Sequence, residues 1–144
     1  MIEQDTVKLL RECDAGIKMG VSSINDVIEY AGDRGLRDEL SSSREEHRRL
    51  DGELQSMLDS YGDEGKNPNP LAKGMAKIKT EVKLVMHQSD STIAELMTDG
   101  CNMGVKSLSK YLNQYKAASE RAKDIAKKLI KIEEGLAKNM QAYL

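Results

Sequence analysis

A short word occurs twice in this chain. Gly16, Met19, Gly20, Val21 and Ser23 reappear as Gly100, Met103, Gly104, Val105 and Ser107, each 84 positions further on (Met19 to Met103). Each copy sits in a stretch whose apolar residues recur every three or four positions, and each is followed by a second such stretch. A repeat of this kind predicts two helical hairpins, neither able to bury its own apolar stripe, folded around a shared interior. The reading is all-α. With 144 residues the chain can bury one core without disulfides or a structural metal, so a single domain over 1–144 is expected.

The periodicity sets the elements. A first helix over about 5–30 places Leu9, Cys13, Ile17, Gly20, Ile24, Val27 and Ala31 on one face, and Gly32 stops it. A second, starting at Asp33 or Arg34, carries Leu36, Leu40, Ser43, His47, Leu50, Leu54 and Met57 or Leu58, and ends at Tyr61-Gly62. The stretch GDEGKNPNP over 62–70 opposes helix and reads as a linker; Asn69-Pro70 then opens a shorter helix to about Met86, with Leu71, Met75, Ile78, Val82 and Val85 as its apolar positions. Ser89, Asp90 and Ser91 break that helix and cap the next, where Thr92 and Glu95 suggest a capping box; the stripe of this fourth helix is Ile93, Met97, Cys101, Gly104, Leu108, Tyr111 or Leu112, and Tyr115. The fifth presents Ala118, Ala122, Ile125, Leu129, Ile132, Leu136 and Met140 after a turn near 116–119. The long connection between the hairpins predicts an up-down-down-up four-helix bundle with an extra short helix in the crossover.

Composition excludes several functions. The net charge of −2 gives no overall attraction to nucleic acid. Lys123, Lys127, Lys128, Lys131 and Lys138 make the last helix basic, but Asp124, Glu133 and Glu134 interrupt it, which reads as a solvated face. No segment is long and apolar enough to span a membrane and the first residues lack a leader pattern, so a cytoplasmic protein without a membrane partner is expected. Cys13 and Cys101 fall in apolar stripes and read as buried free thiols. The glycines lie inside helices rather than after strands, so neither a phosphate loop nor a dinucleotide fingerprint is present, and no Ser-His-Asp arrangement is seen. Phe and Trp are absent, leaving Leu, Ile, Val, Ala and eight Met to fill the core.

Three features suggest local chemistry. His47 occupies a core position where Leu would be expected. With Cys101 it could form half of a mononuclear zinc or iron site, completed by Glu46, Cys13 or His87; alternatively, its ring packs in the core and bonds to Ser43, Ser23 or a tyrosine hydroxyl. The pairs Gly16/Gly20 and Gly100/Gly104 cost helix propensity, and close packing of the first helix on the fourth is the expected compensation; a cavity lined by Met19, Met97 and Met103 is the alternative. Tyr111 and Tyr115, one turn apart, read as amphipathic edge residues.

The stretches LLRECDAGIKMGV, LSSSREEHRRLDGELQSMLDSYG and LMTDGCNMGVKSLSKYLNQY carry a resemblance to the ferritin-like superfamily, and more narrowly to bacterial ferritin-like families related to stress-induced proteins. The resemblance covers nearly the whole chain. For metal-bearing members it implies a di-iron or di-manganese centre, with one Glu on the first helix of each hairpin and Glu-x-x-His on the second. This chain departs from that pattern: Arg44 stands three residues before His47, Ala126 three before its repeat partner Leu129, and Ile17, Gly20, Cys101 and Gly104 take the central positions of the first and fourth helices. The expectation is therefore a degenerate metal site with no carboxylate facing it. The chain reads as a noncatalytic bundle with an interaction or assembly role, a homodimer or other homo-oligomer in a stress-related setting. The alternatives are a protein holding a single zinc or iron ion at His47, Cys101 and Glu46, and a weak DNA-binding bundle.

Overall fold

The computed structural model describes residues 2–86 and 88–144, with the side chains of Ile2, Ile78, Val82, Val85 and Met86 outside that description. Among the described residues there are helices and no strand. They are α1 (Ile2–Val27), prolonged by a 3₁₀ turn over Ile28–Tyr30, α2 (Arg34–Ser60), α3 (Pro70–Met86), α4 (Asp90–Gln114) and α5 (Glu120–Met140), with a last 3₁₀ turn over Gln141–Tyr143.

The ends follow from local chemistry. Asp33 caps α2 by accepting the Leu36 N–H, and Ser119 caps α5 by accepting that of Ala122. Of the expected capping residues Ser89, Asp90 and Ser91, it is Ser89 that caps α4, accepting from the Thr92 N–H, and the cap is not the box on Thr92 and Glu95. Helix α2 closes on Gly62 at φ 65°, with the Gly62 N–H bonded to the Asp59 carbonyl and the Asp63 N–H to that of Leu58. That pairing satisfies carbonyls the helix would otherwise leave open.

Long-range hydrogen bonds tie the ends of the elements together. The Ala117 and Ser119 N–H groups, in the α4–α5 turn, donate to Asp5 and Thr6 at the start of α1. At the other end, the Gly32 and Asp33 N–H groups both donate to Asp90, the first residue of α4. The crossover climbs along α1 rung by rung. Arg11 grips Asp63 through both carboxylate oxygens, the Lys66 ammonium meets Glu12 at 2.6 Å, the Lys66 N–H donates to Asp14, and Lys18 bridges Asp14 and Asn67. Asp14 is fully buried and also accepts from Gln55, so this carboxylate is compensated on every side.

The core lies in two apolar clusters stacked along the bundle. One gathers Leu9, Leu10, Cys13, Ile17, Leu50, Leu54, Leu58, Leu108, Ile125 and Leu129. The other gathers Ile24, Val27, Leu36, Leu40, Ile93, Met97, Cys101, Leu136 and Met140. Helix α3 departs from its expected apolar face: Leu84 is buried, but Leu71 and Met75 are 72% and 62% exposed. The remaining members of that stripe, Ile78, Val82 and Val85, have side chains outside the described set.

Candidate polar layer at the waist of the bundle

Between the two clusters each core helix changes character. Along α1 the stripe passes from Ile17 through Gly20 to Ile24, along α2 from Leu50 through His47 and Ser43 to Leu40, along α4 from Cys101 through Gly104 to Leu108, and along α5 from Leu129 through Glu133 to Leu136. His47 is fully buried and Glu133 is 7% exposed. The His47 Nε2 lies 2.9 Å from Glu133 Oε1, and Nδ1 lies 2.7 Å from the Ser43 carbonyl.

This geometry fixes the protons. A backbone carbonyl can only accept, so Nδ1 carries hydrogen; Nε2 then faces a carboxylate, and a contact at 2.9 Å requires a proton between them. Burial opposes charge on the imidazole, but the hydrogen bond and charge of Glu133, with the Ser43 carbonyl behind, outweigh it and hold the His47 pKa above its ordinary value. The Cys101 thiol is pushed up by burial and further by the charge and hydrogen bond of the same Glu133. One carboxylate thus serves both His47 and Cys101. Ser43 Oγ, one turn before His47, is buried without a hydrogen-bond partner among the described residues.

The glycines make room for these groups. A Cβ on Gly20 would stand 2.6 Å from His47 Nε2, 2.9 Å from its Cδ2 and 3.3 Å from Glu133 Oε1; one on Gly104 would stand 3.5 Å from the Glu133 carboxylate. The expected close approach of the first and fourth helices therefore does not explain them. Gly16 would meet Leu129 of α5 at 3.3 Å, and Gly100 meets nothing within 4 Å. The alternative of a methionine-lined cavity also fails: Met97 is buried, whereas Met103 is 70% exposed.

Sequence reasoning located His47 and Cys101 and missed Glu133. It placed Glu133 on a solvated face and expected no carboxylate at the waist, whereas Glu133 is buried there against His47. The signal was present, since Leu129, Glu133 and Leu136 run at helical core spacing, but the neighbouring Ile132 offered an apolar substitute. Glu46 is exposed and does not join the layer, because residues adjacent along a helix point about 100° apart. Cys13 belongs to the cluster containing Leu9 and Leu10, where burial pushes its thiol up to about 12. His87 lies outside the described residues. Ser43 supplies the expected partner for one ring nitrogen, through its carbonyl, while the other nitrogen finds Glu133 rather than Ser23 or a tyrosine. Among the described residues, no group of three or more His, Cys, Asp or Glu side chains is arranged to hold a metal ion.

The other candidates are peripheral. Tyr111 and Tyr115 stack with ring centroids 6.2 Å apart at the margin of a core cluster. On the basic last helix, Lys123 pairs with Glu120 and Lys128 with Glu53. A groove of about 810 Å³ runs between α1, α2 and the crossover, with Val21, Asn25, Asp26, Arg48 and Lys73 on its walls. No helix among the described residues is long and apolar enough to cross a membrane.

No protein-family model matches the chain, and no curated protein matches it. Among solved structures, the crystal structure of a DUF305 fragment from Deinococcus radiodurans is similar in fold: TM-score 0.74 at 14% identity, covering 96% of this chain and 93% of that one. At that identity the likeness extends to the all-helical architecture alone.

Proposed function

We propose that this chain is a noncatalytic ferritin-like bundle of up-down-down-up topology, acting through its surface in interaction or assembly, with the waist given over to structure instead of metal chemistry. The topology is supported by the paired ends: α1 starts beside the α4–α5 turn and finishes beside the start of α4. The observation that carries the functional reading is the closure of the His47–Glu133 pair. Both imidazole nitrogens are engaged, and the pair fills the space opened by Gly20 and Gly104. A ligand histidine must offer an unprotonated nitrogen to a cation. Here each nitrogen already faces an acceptor.

Such a layer has a role of its own. A polar pair flanked by apolar clusters penalises any sliding of α5 against α2, because a shifted register would leave a buried charge without its partner. The bundle thereby holds one arrangement of its outer faces, which an interaction protein needs.

The test is elemental analysis of protein purified without added metal, together with light scattering for its assembly state. Substoichiometric metal and a defined homo-oligomer are expected. Stoichiometric zinc or iron that disappears in His47→Leu would replace this reading with the mononuclear metal-binding one. Salt-sensitive retardation of DNA would favour the DNA-binding one.

A further inference from the structure

The crossover helix α3 holds four lysines against one glutamate, and residues 71–77 are all exposed. Its first two turns stand off the bundle beside the groove on α1. Leu71 and Met75, one turn apart, protrude at 72% and 62% exposure. Helix α4 contributes a third exposed apolar side chain: only residues 87–89 separate α3 from α4, and Lys79 meets Asp99 across them at 4.0 Å. Met75 lies one turn before Lys79 and Met103 one turn after Asp99, so in a reversing pair of helices both fall at the same level. Met75 and Met103 thus stand exposed at one level of the α3–α4 pair, with Leu71 one turn earlier along α3.

Cations surround these side chains. Lys73 and Lys77 act on Asp26 of α1, which also feels Glu81, and Lys79 is taken by Asp99. Lys83, Lys106 and Lys110 have no ion pair among the described residues, and the last two are exposed on the turns of α4 that follow Met103. Six lysines therefore stand against Asp26, Glu81, Glu95 and Asp99 on this side of a chain whose net charge is −2.

We propose that the outer face of α3 and the adjoining turns of α4 dock onto an anionic lipid surface, with Leu71, Met75 and Met103 entering the interface and Lys106 and Lys110 reaching its headgroups. The apolar side chains protrude, so a protein partner would have to supply the recess, whereas a bilayer interface accepts protruding apolar side chains anywhere. A twofold contact between two copies would set lysines against lysines. An anionic surface gathers the same charges favourably, and lysine stems let the ammonium groups stay in the headgroup layer while apolar neighbours sink below it. Docking of this kind lies parallel to the membrane and needs no spanning segment.

The experiment is co-sedimentation of the full chain with vesicles of phosphatidylcholine alone or mixed with phosphatidylglycerol, at low and raised salt. Leu71→Ser/Met75→Ser and Lys106→Gln/Lys110→Gln are run alongside, with circular dichroism as the check on folding. Binding to the mixed vesicles, weakened by salt and by about tenfold or more in either variant, is expected. Absence of binding to mixed vesicles, equal binding to phosphatidylcholine alone, or an unaltered Leu71→Ser/Met75→Ser protein would each overturn the proposal. So would light scattering showing, without lipid, that this variant converts a dimer to a monomer, since the face would then belong to a second copy.

Discussion

Gly20 and Gly100 occupy different members of the same repeated word, yet replacing them with alanine is expected to change stability in opposite directions. In a helix interior alanine is favoured over glycine by about 1 kcal/mol. At Gly100 nothing lies within 4 Å of the new methyl, so Gly100→Ala should gain most of that. At Gly20 the methyl would stand 2.6 Å from His47 Nε2. The ring is held between Ser43 and Glu133 and cannot swing aside without breaking both contacts. Overpacking of this kind costs roughly 1–3 kcal/mol, and separating the pair adds to it, so Gly20→Ala should lose about 1–3 kcal/mol net of the propensity gain. Gly104→Ala, at ordinary contact distance from Glu133, should be neutral to mildly stabilising. The assay is urea unfolding followed by far-ultraviolet circular dichroism, comparing midpoints at constant slope. A second arm places Gly20→Ala in a His47→Ala background, where the space is vacated and the alanine should become stabilising. If Gly20→Ala stabilises the wild-type chain as much as Gly100→Ala does, the glycine is not the seat of the histidine and the polar-layer reasoning fails.

Three further outcomes follow from the same contacts. Because the His47 pKa is raised in the fold, its contribution is fully present below the unfolded value near 6.5 and is lost as pH rises through the higher folded value; urea midpoints should fall as pH is raised above about 6.5 in the wild type, and His47→Leu/Glu133→Leu should lack that component. His47→Leu alone strands Glu133 and should cost about 2–4 kcal/mol, while the double apolar replacement should recover most of it, a cycle that isolates the pair. Asp14→Ala removes the acceptor for Lys18, Gln55 and the Lys66 N–H; a loss of roughly 2–3 kcal/mol is expected, with faster amide hydrogen exchange over 63–67 as the local readout and unchanged exchange there as the contrary result.

Periodicity alone determined that this chain is helical, where most helices begin and end, and which aliphatic residues face inward, because apolar spacing, capping side chains and terminal glycines act locally. It also marked His47 as out of place on its stripe. Tertiary structure decided everything that depends on what stands opposite: 52 positions separate the Lys66 N–H from the Asp14 it reaches, and 86 positions separate His47 from Glu133. A glycine's purpose is equally nonlocal, since Gly20 and Gly100 look alike along the chain and only the neighbouring helix distinguishes a seat for an imidazole from open space. Leu71 and Met75 give the same lesson at the surface: their spacing promised a buried stripe, but spacing specifies only that side chains share a face, and packing determines whether that face is covered.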